Sequence, residues 1–295
     1  MRRSPFLVAA VLVVAPVTLA ACGDDHAHDP DHVDAAPAID APTTQPVTLA
    51  FAAEVGGAAF ACGQSYSGIG TTSATYVGTD FRFYVHDVRL TGPGGEVPLT
   101  LDVNEWQTAE GLALLDFEDG ATGCQTGTAA THTALTGTVP TGTYTGIAFK
   151  VGVPFAQNHL DATTAQAPLN VPAMFWAWSS GYKFLKADGT VDGAGFNLHL
   201  GSTGCGTTGA TPPSAPCANP NVIEVALTGY TPGTSTVVAD VARVLAGVDV
   251  TVNTPQTAPG CMSFPGDPEC ETILPRLGLP YASNPALPQA FFTVE

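Results

Sequence analysis

The sequence predicts a mostly β fold: a β-sandwich-like domain whose long loops are stapled by disulfides. Three observations carry that expectation. Glycine and proline are abundant, with 32 Gly and 25 Pro among 295 residues, and threonine is frequent. The apolar runs are short and bounded by turn signals, as strands are. Charge is sparse, at 12% of residues.

Taken in order, Phe81 to Leu90 (FRFYVHDVRL) is the clearest strand. Leu112 to Phe117, Tyr144 to Val151, Tyr182 to Lys186, Phe196 to Leu200 and Val222 to Thr228 follow. Turn signals such as Gly92-Pro93-Gly94-Gly95 and Pro140-Thr141-Gly142 separate them. Val237 to Leu245 (VVADVARVL) carries a helical period but reads equally as a strand followed by one turn. The C-terminal third, around Cys261 and Cys270, reads as proline-rich coil. No internal repeat is present.

Export is written at the N-terminus. Arg2 and Arg3 precede an apolar run from Phe6 to Leu19, which is of signal-peptide length. The run ends in Leu19-Ala20-Ala21-Cys22, which looks like a bacterial lipobox. Residues 1–21 are therefore expected to be a lipoprotein signal peptide, with lipid on Cys22 after cleavage. Ordinary cleavage near Ala20 is the alternative. Gly23, rather than aspartate, favours the outer membrane over the inner, so the expected product is exported and lipid-anchored in the periplasm. Residues 22–46 are acidic and rich in proline and histidine, too poor in apolar groups to offset ordering entropy, and are expected to be a disordered tether. There His26, His28 and His32 alternate with aspartates and read as a solvated spacer, a weak metal scavenger being the other reading. Residues 47–295 make up the β domain.

The formal charge is −17, and loss of the signal peptide, whose only charges are Arg2 and Arg3, makes it more negative. A lysine-poor acidic chain argues against nucleic-acid binding, which needs basic clusters. It favours cations or basic protein partners. Without Cys22, six cysteines remain, and an even number in an oxidising compartment reads as disulfides. Short loops make Cys205–Cys217 and Cys261–Cys270 the natural local pairs, leaving Cys62–Cys124, though sequence alone admits other pairings. No CxxC is present, which weighs against a thiolate metal site.

The stretch from Gly152 to Cys205 is the most informative for function. It holds His159, His199, Trp176 and Trp178. Histidine beside redox-prone indole in an exported protein points to copper. In Phe196-Asn197-Leu198-His199-Leu200, the period of two puts His199 on the face opposite the leucines, pointing away from the core near a strand end. His159 follows Val153-Pro154, where a strand breaks into loop. His86, in mid-strand, is a candidate third ligand, and His132 reads as loop. Asp116, Glu118 and Asp119 lack the spacing of a regular calcium loop. Trp106 sits among polar neighbours and reads as exposed. No GxSxG elbow, CxxCH or phosphate loop occurs, so the chain does not read as an enzyme.

The blocks GVPFAQNH, MFWAWSSGYKF, HLGSTGC and CMS, with FYVHDVRL and LLDFEDG upstream, occur in one order along most of the domain. Together they resemble the MbnP family of copper-binding proteins, the partners of MbnH-type di-haem enzymes. The resemblance implies copper held by His159 and His199. It also implies a tryptophan oxidised to kynurenine by the partner enzyme, the candidates being Trp176, Trp178 and Trp106. The implied role is copper acquisition or handling. The competing expectation is a structural or adhesive surface lipoprotein with no specific metal site.

Overall fold

Ala74–Gly92, a strand of 19 residues, organises the fold. It is rich in aromatic and β-branched residues, which suit a pleated surface packed on both sides. In a computed structural model that describes residues 43–177, 179–207 and 211–295, this strand pairs with five others and runs through the larger of two main sheets. That sheet runs in the order Ile223–Thr228, Gly146–Val151, Ala74–Gly92, Leu185–Val191, Ala194–Leu200, Gly260–Cys261. Ser65–Ile69, Gly95–Pro98 and Ala113–Asp116 add to the long strand at other points along its length. The second sheet runs Phe292–Val294, Thr236–Asp240, Thr44–Val55, Ala134–Pro140, Thr100–Leu101. The fold is mostly β, with 41% strand and 8% helix.

The two sheets meet through phenylalanines. Phe51 and Phe292 come from the smaller sheet, and Phe83 and Phe149 from the larger. Phe51 meets Phe149 edge-on at 5.7 Å, and Phe292 meets Phe83 at 5.4 Å and Phe149 at 5.2 Å. All four rings are buried. Edge-to-face contacts of this kind add to the gain from burying the rings.

All three disulfides form as the short-loop reading expects: Cys62–Cys124, Cys205–Cys217 and Cys261–Cys270. Five of the anticipated strands are present with shifted ends, but Tyr182 to Lys186 is split between Gly181–Tyr182, in a separate two-stranded sheet with Phe175–Ala177, and Leu185–Val191 in the larger sheet. Val237 to Leu245 resolves into the strand Thr236–Asp240 and the helix Val241–Leu245, whose first turn is capped by Asp240 Oδ1 accepting from Ala242 N at 2.9 Å. The C-terminal region needs correction. It is not only coil, because it holds the short strand Gly260–Cys261, the helix Cys270–Arg276 and the strand Phe292–Val294. The boundary at Val47 also moves: Thr44–Val55 is one strand, so Thr44 to Pro46 belong to the sheet and not to the tether. Pro42–Glu295 forms one compact unit. Cys22, the signal segment and the three tether histidines lie outside the described residues, as does Trp178.

Phe83→Ala should remove about 3–5 kcal/mol of stability, because the ring touches both sheets and leaves a cavity that neither can fill. Urea unfolding checks this, and a loss under about 1 kcal/mol would show that the sheets do not depend on this contact.

Candidate metal centre

The outer face of the larger sheet, opposite the phenylalanines, carries a buried chain of charge. Asp80 accepts from Arg82 Nε at 2.8 Å and from Thr126 Oγ1 at 3.0 Å, and it also pairs with Lys186. Lys186 Nζ lies 3.0 Å from Asp188 Oδ2. Asp188 Oδ1 in turn lies 2.7 Å from His199 Nε2. Strand register explains the sequence of contacts. Lys186 pairs with both Arg82 and His199, and Asp188 pairs with Asp80, so these alternate residues share one face across three strands.

His199 is therefore on the face that its alternation indicates, but it is not exposed. It is only 6% accessible, because the segment before the Gly181–Tyr182 strand folds over it. Trp176 lies over the imidazole at 6.0 Å between centroids and touches Phe264 on its other side at 5.6 Å. Gly201 makes that approach possible: a Cβ there would stand 2.4 Å from Trp176 Cζ3. His199 Nε2 is paired with Asp188 Oδ1, whereas His199 Nδ1 and Trp176 Nε1 are buried without a hydrogen-bond partner. Two orphaned polar atoms side by side call for an explanation. Burial lowers the His199 pKa, with Asp188 opposing, so the imidazole stays neutral and able to bind a metal. Burial alone would raise Asp188, but His199 and Lys186 outweigh it and hold the carboxyl below its usual value.

His159 follows the short helix Phe155–Asn158 and is buried beside a disulfide, with Nε2 3.7 Å from Cys217 Sγ. Its neighbour Asn158 reaches the loop after the His199 strand, donating to Ser202 Oγ at 2.8 Å. Both histidine blocks thus meet at Ser202. Among the described residues, however, no group of three His, Cys, Asp or Glu donors within 4.8 Å of one another contains both imidazoles. The two groups that do form are His159 with Cys205 and Cys217, and Glu118 with Cys62 and Cys124, and each depends on cysteines already joined in disulfides. His86 lines a cavity of about 300 Å³ with Lys150, Phe155, Asn158, Phe184 and Ser202. Burial, then Lys150, lowers its pKa.

One other expectation changes. Trp106 is not exposed: it is half-buried and stacks on His132 at 5.4 Å with the planes 6° apart. His132 is tied to Leu114 O at 2.6 Å through Nδ1, which anchors the stack. The Asp116, Glu118 and Asp119 carboxylates accept from the turn amides of Glu118, Gly120 and Ala121. Sequence reasoning passed over Asp188 entirely.

A family model described as MbnP matches residues 44–263. A solved structure, "MbnP from Methylosinus trichosporium", is similar at 29% identity and a TM-score of 0.72, over 85% of this chain and 98% of that one. No curated protein matches the chain.

Two outcomes follow from this geometry. Gly201→Ala should push Trp176 off His199, shifting its fluorescence and destabilising the fold by about 1–3 kcal/mol; unchanged emission would mean that the ring does not need the gap. Burial, opposed by Arg82, raises the Asp116 pKa from 3.8 to about 7. The folded chain then holds a proton that the unfolded chain gives up, so stability should fall as pH rises from about 4 to about 7. Asp116→Asn should flatten that slope in thermal melts across the range.

Proposed function

The chain belongs to the MbnP family, and from that premise we propose that it is a copper-binding protein of the periplasm, anchored by lipid on Cys22. Family membership supports a copper-related role and makes the chain a non-catalytic partner of an enzyme. Our reading places copper at His199, with His159 as the second imidazole, at the loop end where Asn158 meets Ser202. The observation that carries it is the buried, unpartnered His199 Nδ1 beside the unpartnered Trp176 Nε1. Imidazole and an indole-derived donor form a nitrogen and oxygen set that suits copper. Bound there, copper would supply a redox-active centre for storage or transfer.

Trp176 is the tryptophan we assign to oxidative conversion to kynurenine by an MbnH-type di-haem enzyme. Indole nitrogen is a poor ligand, whereas the aniline nitrogen and ketone of kynurenine are donors. The ring already lies against His199, and it also meets the half-exposed Phe264. Trp106 is occupied by its stack on His132 and is the weaker candidate. The chain's own residues do the positioning: Gly201 admits the ring, Phe264 covers it, and Asp188 and Lys186 fix the imidazole side. A strongly acidic surface attracts a basic partner, and docking should weaken as salt rises.

Two measurements test this reading. In a copper titration of protein produced beside its partner enzyme, His199→Ala should weaken the tight site by on the order of 100-fold or more; equal affinity would refute the assignment. Peptide mass spectrometry of that protein should find the tryptophan-to-kynurenine mass change at Trp176. Trp176→Phe should abolish it, and the change appearing at Trp106 or Trp178 instead would move the site.

A further inference from the structure

We propose that the Cys62–Cys124 disulfide is a redox-active bond, opened by a dithiol reductant, and that Glu118 is the proton donor to the sulfur it releases. One Glu118 carboxylate oxygen and both sulfurs lie within 4.8 Å of one another. Glu118 is fully buried, and its Oε1 accepts from Gly120 N at 3.0 Å. Its Oε2 is buried with no hydrogen-bond partner. A polar atom left so costs stability, and a redox or catalytic use is one reason for it to persist. The surrounding loop is fitted to the carboxyl: a Cβ on Gly127 would fall 0.9 Å from Oε2. Gly63 and Gly123 let the two backbones meet at the bridge, a Cβ on Gly123 standing 2.6 Å from Gly63 Cα. Burial raises the Glu118 pKa, opposed by the Gly120 amide and Arg82 and reinforced by Asp80 and Asp119. Asp116, on the Ala113–Asp116 strand, faces it as a further acid. The carboxyl therefore keeps its proton beside sulfur.

Cys62 is partly accessible and Cys124 is buried, which directs attack to Cys62 Sγ. A thiolate of the dithiol bonds to that sulfur as the disulfide breaks. Cys124 Sγ leaves with the electron pair and takes the Glu118 proton. The reductant's second sulfur, its proton lost to solvent, then attacks the reductant's own first sulfur. Cys62 leaves as thiolate, and solvent protonates both it and Glu118. Two electrons have passed from the dithiol, now a disulfide, to the two cysteines. The consequence reaches beyond the bridge. Two residues after Cys124, Thr126 Oγ1 donates to Asp80 Oδ2 at 3.0 Å and accepts from Arg82 Nη2 at 3.0 Å. Opening the bond frees the loop that carries this hydroxyl, so its redox state is felt by the ion pairs of the larger sheet.

The experiment treats full-length protein with dithiothreitol and follows each cysteine by alkylation and mass spectrometry, from mildly acid to mildly alkaline pH. Rates are expressed per dithiothreitol thiolate, and Cys261–Cys270 in the same sample is the reference. In the wild type, Cys62–Cys124 should open fastest per thiolate at low pH. It should slow as pH rises through the Glu118 titration, above the ordinary carboxylate range, while the reference shows no such step. Glu118→Gln should slow this bond alone by on the order of 10-fold at low pH and remove the step. Glu118→Asp, which keeps an acid, should restore part of both. A flat wild-type profile overturns the proposal, as does a Glu118→Gln protein with wild-type rate and step. If a variant opens all three bonds faster, it is unfolding, and the wild-type profile decides alone.

Discussion

The outer face of the larger sheet depends on one buried carboxylate, Asp80. It neutralises Arg82 and Lys186, two cations that are each less than a tenth exposed. Charges so buried are tolerable only when paired and hydrogen-bonded, and removing one partner of such a group typically costs about 3–5 kcal/mol. Through Lys186 the same carboxylate fixes Asp188, and Asp188 faces His199. The position of the candidate metal centre is therefore set several residues away, by ion pairs running across three strands.

This arrangement places the site on rigid elements. Asp188 and His199 stand on paired strands whose inner faces are buried in the core, where Leu185, Ala187, Leu198 and Leu200 are all essentially inaccessible. The covering layer comes from outside the larger sheet: Trp176 from the strand Phe175–Ala177, paired with Gly181–Tyr182, and Phe264 from the stretch after Gly260–Cys261. The half borne on the larger sheet holds geometry, and the covering half can be changed chemically without disturbing that sheet.

Much of this was legible in the sequence where period and chemistry coincide. The alternation in Phe196 to Leu200 put His199 on the correct face, and short loops gave the disulfide partners. What alternation could not tell is that this polar face is roofed, because the roof comes from residues distant along the chain. Asp188 was missed for a local reason. Lys186-Ala187-Asp188-Gly189-Thr190 has the composition of a turn, yet it is the middle of a strand. Gly189 is there because the Tyr76 ring takes the space of a side chain, a Cβ falling 2.4 Å from it. Thr44–Val55 was not read as a strand at all: its opening residues share the proline-rich composition of the tether, and its buried Leu49, Phe51, Ala53 and Val55 alternate with small or polar residues.

The central claim is that copper sits where the Trp176 ring meets His199. An anomalous diffraction map collected at the copper edge, on crystals of the copper-loaded protein, tests it most directly. The account predicts one dominant peak within bonding distance of His199 and beside the residue at position 176. A peak confined to His26, His28 and His32, or one at the Cys205–Cys217 disulfide with His199 untouched, would contradict it.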